Sequence, residues 1–295
     1  MDYTTRNDAG TQKRDSSRSE RHFPEHDKKL DPMLLSSSYI RTITHLSYVF
    51  VSILCFVMVV WILIFPSSVW YEHSPTHQKL LHSWFHSASG NRAGAASSEL
   101  ISKYTGQYLV QITHILPGAI WAAIIPFQLN TKFRKNHRTL HRYTGYGFVG
   151  SALLLGTGVF IILHKGLLYE NSFPDLPAKP FSAALPLILL TIYFLGTIVC
   201  ALYYAAIASP KNYFAHSVWI TRHVASGIWI ALQRILMVTP VFNRPPMSRD
   251  QQREAFGNAG FLATALTIVA GEILIYLWNH ERSNSETKLG YKKGL

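Results

Sequence analysis

Residues 216–240 read HSVWITRHVASGIWIALQRILMVTP, an apolar run interrupted by Arg222, His223 and Arg234. A helix needs roughly 20 mostly apolar residues to cross the hydrocarbon of a bilayer, and this run is long enough. A centrally placed Arg costs roughly 2.5–3.5 kcal/mol there on insertion scales, so it turns toward neighbouring helices or a wet cavity. The segment therefore requires partners. The chain supplies five more apolar stretches, at about 44–65, 108–129, 143–164, 182–206 and 261–280, with this one spanning 217–240. The fold class expected is all-α: a polytopic membrane helix bundle with about six transmembrane helices. The 217–240 segment is the least apolar of the six, and a re-entrant path is the alternative for it.

Composition agrees. Hydrophobic residues make up 48% of the 295 and charged residues only 15%, against roughly 25% charged in a soluble domain. The net charge of +12 does not indicate nucleic acid, because Lys and Arg collect in the tails and short inter-helix loops. Cys55 and Cys200 fall within apolar runs and read as buried free thiols. Residues 1–42 are polar and of mixed charge, and are expected to form a disordered cytosolic tail. Residues 43–280 form the membrane domain, and 281–295 a second cytosolic tail. The first helix is expected to act as an uncleaved insertion signal.

Orientation follows from Lys and Arg counts. With the N-terminus cytosolic, that side carries eighteen and the other eight, which places both termini in the cytosol. The loop 130–142 (Lys132, Arg134, Lys135, Arg138, Arg142) has no acid, whereas 165–181 has Glu170 and Asp175. Lys292-Lys293-Gly294-Leu295 resembles a dilysine signal for the endoplasmic reticulum, which that orientation would leave exposed.

Helical phase sorts the polar residues. From His216 to His223 is seven residues, about −20° on a helical wheel, and from His223 to Arg234 eleven, about +20°. One stripe thus carries all three, and Arg222 lies off it. His114, Gly118, Trp121 and Gln128 share a face of the second span. Ala152 and Gly156 form a small-residue edge on the third. Glu272, near the middle of the last span, is expected to pair with Arg234 or a protonated histidine, because an isolated charge there would be expensive.

The runs His114-Ile-Leu-Pro-Gly118 through Gln128, Leu140-His141-Arg142-Tyr-Thr-Gly145-Tyr146 and His216 to Arg222, with Arg234 beyond, resemble a domain-of-unknown-function family of multi-pass membrane proteins in bacteria and fungi. The resemblance covers about 108–240 and implies no activity. Ser217 stands where the family pattern has Arg. Leu140-His141-Arg142-x-x-Gly145 is also loosely similar to cytochrome b561-type helices.

Three kinds of function follow. An enzyme acting on a lipid or terpenoid by acid–base chemistry would use Glu272, His223 and His114 as its catalytic set. Gln128, His141, Arg142, His216, Arg222 and Arg234 would then bind the ligand and its head group. A haem b redox protein would hold the group between His141 and His216 or His223, or between His114 and His164. The third is a non-catalytic transporter, lipid-binding protein or scaffold. Metal chemistry is disfavoured despite i, i+4 pairs at His73/His77, His82/His86 and His137/His141, because His137 sits among cations. The outer-loop histidines edge an amphipathic stretch, Leu80, Leu81, Trp84 and Phe85, expected to lie on the membrane surface.

Overall fold

A computed structural model describes residues 32–64, 100, 103–244 and 246–293. The outer-loop histidines, the stretch around Trp84 and the end of the dilysine signal lie outside the described residues. Among those described there is no strand. The helices are α1 (Pro32–Ile64), α2 (Tyr108–Leu129), the short α3 (Thr131–Asn136), α4 (Arg138–His164), α5 (Ala184–Ile207), α6 (Tyr213–Val238) and α7 (Arg249–Lys293). α1, α2, α4, α5 and α7 are each long and apolar enough to cross a membrane. α6 is a continuous helix of 26 residues packed on α7, α5 and α1. It is continuous where a re-entrant segment would break, and its polar residues belong to an interior helix. The molecule is a multi-pass helix bundle in which α6 is central.

Two boundaries differ from expectation. α1 begins at Pro32, so 32–42 are helical although composition assigned them to the tail. α7 runs for 45 residues, about 68 Å at 1.5 Å per residue, far beyond the apolar 261–280. Its polar start has a local cause. The Ser248 hydroxyl accepts from the Gln251 amide N–H, while Gln251 Oε1 accepts from the Ser248 N–H, a reciprocal cap on two orphan donors. The turns that follow bury Ala255, Phe256 and Ala259 against Phe173, Met237 and Leu100.

This extension and residues 165–181 cap one end of the bundle. Arg253, 5% exposed, donates to the Pro177 carbonyl and to Asp250 Oδ1, at 2.8 and 2.7 Å. Glu170 accepts from the Ala183 N–H (2.7 Å) and the Ser182 hydroxyl, satisfying donors at the start of α5. At the opposite end Asn130 caps α3 through Oδ1, and its amide donates to Tyr48 Oη of α1.

Small residues set the helix spacing. Ala152 is fully buried, and a Cβ at Gly156 would fall 2.6 Å from a Leu195 methyl of α5, as the small-residue edge requires. α2 opens with a π-helical turn over Gln111–Ile115, which presses its backbone onto α4. A Cβ at Gly158 would lie 2.5 Å from His114 Cβ and 3.0 Å from its Cα and N. Gly158→Leu is therefore expected to push α2 from α4 and destabilise the bundle by about 1–3 kcal/mol. A lower thermal midpoint in detergent checks this; an unchanged midpoint would mean that the contact is loose.

Candidate functional site

The residues singled out by sequence fall into four places rather than one. His223 is at the centre of the core. It is fully buried, with ring centroids of Phe194, Phe148 and Trp121 at 4.2, 5.3 and 5.7 Å. Trp121 Nε1–H donates to His223 Nε2 (3.0 Å), and His223 Nδ1–H donates to the Phe194 carbonyl (3.0 Å). Both ring nitrogens of a neutral imidazole are thereby used. Gly227 makes room for the Trp121 ring, whose Cη2 would stand 2.6 Å from a Cβ there.

Glu272 pairs with Arg222, not with Arg234. The pair is bidentate, Arg222 Nε and Nη2 to the two carboxylate oxygens at 2.7 and 2.9 Å, with the guanidinium 4.9 Å from the Trp219 ring centroid. The register of α6 and α7 explains the correction. They run antiparallel, with Gly271 against Ala225 and Thr221, and Gly260 against Gln233 and Trp229. That puts Glu272 level with Arg222. Arg234, twelve residues on, is about 18 Å further along α6.

Gln128, His141 and His216 meet at the end of the bundle near α3. Gln128 Nε2 donates to the His141 carbonyl and to Thr144 Oγ1, tying α2 to α4. His216 Nδ1–H donates to the Ala201 carbonyl (2.8 Å), and His141 lies within electrostatic reach of it. Arg142 is exposed nearby. As a haem site this pair is incomplete. An axial histidine ordinarily has its second nitrogen oriented by an acceptor; His216 has one, whereas His141 Nδ1 is buried with no partner among the described residues. The other haem pairings fare worse. His223 is closed in by three aromatic rings, and exposed His164 stands about 13 Å along α4 from Leu155, the residue that His114 touches. No group of three His, Cys, Asp or Glu side chains able to hold a metal ion occurs among the described residues. Cys55 and Cys200 are free, and Cys55 is buried.

The fourth place is a cavity of about 290 Å³ under the cap, bordered by α1, α2, α4, α5, α6 and α7. Its walls are mainly apolar, including Met58, Leu155, Val159, Leu190 and Ile230, and its polar groups gather near the capped end. A smaller space of about 70 Å³ shares Met58, Val159, Leu190 and Ile230 with it and reaches Trp121 and Phe194. The two spaces are thus neighbours, the smaller lying on the side of the His223 core. Two of the expected residues line it, His114 and Arg234. His114 Nδ1–H donates to the Leu155 carbonyl (3.2 Å), which leaves Nε2 with its lone pair. Arg234 is stacked between the Trp61 and Phe256 rings, at 4.8 and 5.2 Å to their centroids. Its Nε is buried without a hydrogen-bond partner among the described residues, and Nη1 meets only Met237 Sδ at 3.8 Å.

The void also has wall residues that composition did not flag: Lys103, Tyr104, Tyr169 and Gln233. Burial, with Glu170 beside it, pushes the Tyr169 phenol above its ordinary value, so it remains a neutral donor at pH 7. A usable signal existed for Lys103, one of only three cations in 66–107, on the side where Lys and Arg are scarce. The expected catalytic set of Glu272, His223 and His114 does not assemble. Among the described residues no hydrogen bond or ring contact joins any two of them.

No family model, curated protein or solved structure matches the chain, so the reading of this site rests on its own geometry.

Replacing His223 with Leu is expected to strand the Trp121 N–H at a cost of about 1–3 kcal/mol, while the Phe194 carbonyl keeps the Thr197 hydroxyl at 2.8 Å. Trp121→Phe should cost a similar amount, since it strands His223 Nε2 in place of the indole N–H. Thermal midpoints of the two purified variants check this; an unchanged midpoint in either would contradict the Trp121–His223 hydrogen bond.

Proposed function

We propose that this multi-pass membrane protein binds a hydrophobic small molecule, a single-chain lipid or a terpenoid, in the cavity beneath its cap. One observation carries the reading: a largely apolar cavity among six helices, with a histidine lone pair and an arginine at its wall. Small-molecule sites commonly span roughly 300–1,000 Å³ and combine apolar walls with a few convergent polar groups. About 290 Å³ suits one acyl or prenyl chain better than a two-chain phospholipid. Any proton transfer on that ligand falls to His114, the member of the expected catalytic trio that reaches the void. Glu272 and His223 then serve the fold, through Arg222 and Trp121 respectively.

Further parts of the reading rest on sequence. The excess of Lys and Arg on the α3 side supports cytosolic termini and places the cap on the far side of the membrane. The resemblance over 108–240 supports membership of the multi-pass family.

Val159→Phe is expected to fill the void without touching its polar groups. Native mass spectrometry of detergent-released protein should show a single-chain lipid adduct on the wild type and its loss from the variant. An adduct of equal intensity on both would overturn the proposal. Absorption of the same sample is expected to lack a Soret band before and after dithionite; a Soret band would instead favour haem at His141 and His216.

A further inference from the structure

The cavity has an anion-shaped deficit at one end. Arg234 and Lys103 both stand over the Phe256 ring, at 5.2 and 5.9 Å to its centroid. Lys103 Nζ is also 4.7 Å from the Tyr104 centroid. Neither cation forms an ion pair with a described residue, and both line the void. Two like charges beside one apolar chamber repel each other and lose solvation, an arrangement that an anion between them relieves.

The described acids at this end are committed elsewhere. At the capped end Glu170 holds the Ala183 N–H and the Ser182 hydroxyl. Asp175 pairs with Arg249 at 2.9 Å, Asp250 with Arg253 at 2.7 Å, and Glu254 with Lys179 at 3.4 Å. Glu272 is held on Arg222, about 18 Å from Arg234 along α6. Each carboxylate described at this end thus has a named donor, and Arg234 and Lys103 are cations that line the void without a described carboxylate. The buried Nε of Arg234 has no acceptor among the described residues, although burial makes an unsatisfied charged donor expensive.

The geometry points to a head-group seat. We infer that the ligand is an anionic amphiphile carrying a carboxylate or phosphate on a single apolar chain. Arg234 and Lys103 bind its head, and its tail runs along Val159, Leu190 and Ile230 toward Trp121. A guanidinium matches the two oxygens of either head bidentately, and Lys103 adds a point charge. Tyr169 supplies a neutral hydroxyl at the same end. This inference rests on the cavity-binding proposal and adds the sign of the ligand's charge.

The experiment uses full-length protein in phosphatidylcholine nanodiscs. Binding of palmitate, of a lysophosphatidate of equal chain length and of hexadecanol is measured by scintillation proximity with the radiolabelled compounds. Palmitate, lysophosphatidate or both should bind roughly 10–100-fold more tightly than hexadecanol, the range expected for one charge-assisted contact. A preference for palmitate identifies a free fatty acid as the source, and a preference for lysophosphatidate identifies a lysolipid. Arg234→Gln should remove the preference by weakening both anions toward the hexadecanol level, and Lys103→Gln, outside the helices, should reduce it by a smaller factor. If hexadecanol binds as tightly as both anions, or if both variants keep the full preference, the head-group seat is overturned and the apolar cavity stands. If none of the three compounds binds the wild type, both proposals fall.

Discussion

The fold is organised by one buried imidazole. His223 accepts from Trp121 of α2 and donates to the Phe194 carbonyl of α5 while belonging to α6. Three helices are thereby joined at a point where neither water nor lipid can satisfy a polar group. Away from water an unpaired donor or acceptor costs more than its hydrogen bond gains, so the three must come together in one arrangement. The rings of Trp121, Phe148 and Phe194 then fill the space around it. Gly227 supplies the clearance that lets the indole reach α6.

Once α6 is held with His223 toward α5, the faces of its other polar residues follow. His216, two turns earlier, meets the Ala201 carbonyl of the same neighbour. Arg222, rotated away, faces α7 and receives Glu272. Arg234, three turns beyond His223, enters the space beneath the cap, where its flat faces are covered by Trp61 and Phe256 and its edge meets no carboxylate among the described residues. The cap depends on separate chemistry. Arg253 ties α7 to the 165–181 segment, and Phe173 and Phe256 bury the join. The void thus has a core-pinned floor and an ion-paired roof.

Much of this architecture was legible in the sequence. The apolar runs at 108–129, 182–206 and 217–240 coincide within a few residues with α2, α5 and α6. The wheel that set His216, His223 and Arg234 on one stripe separated Arg222 from them correctly. Pairing was harder to read, because phase says which way a residue points but not what stands opposite. The register of α6 and α7 depends on where α7 starts, and its first twelve residues are too polar to register as part of an apolar span. Two signs were present: Ser248 and Gln251 at capping-box spacing, and apolar Ala255, Phe256 and Ala259 at helical spacing. The cavity itself was not legible. Its walls come from six helices, and its second cation, Lys103, is an ordinary loop lysine until Phe256 is brought beside it.

The account turns on Arg234 facing a sheltered void rather than lipid or a carboxylate. A cryo-electron microscopy map of the protein extracted in native lipid nanodiscs tests this most directly. The account requires the guanidinium between Trp61 and Phe256, with elongated non-protein density beginning there and running toward Trp121. A map with Arg234 pointing outward among acyl chains, or closed on an acidic side chain over a collapsed cavity, would contradict it.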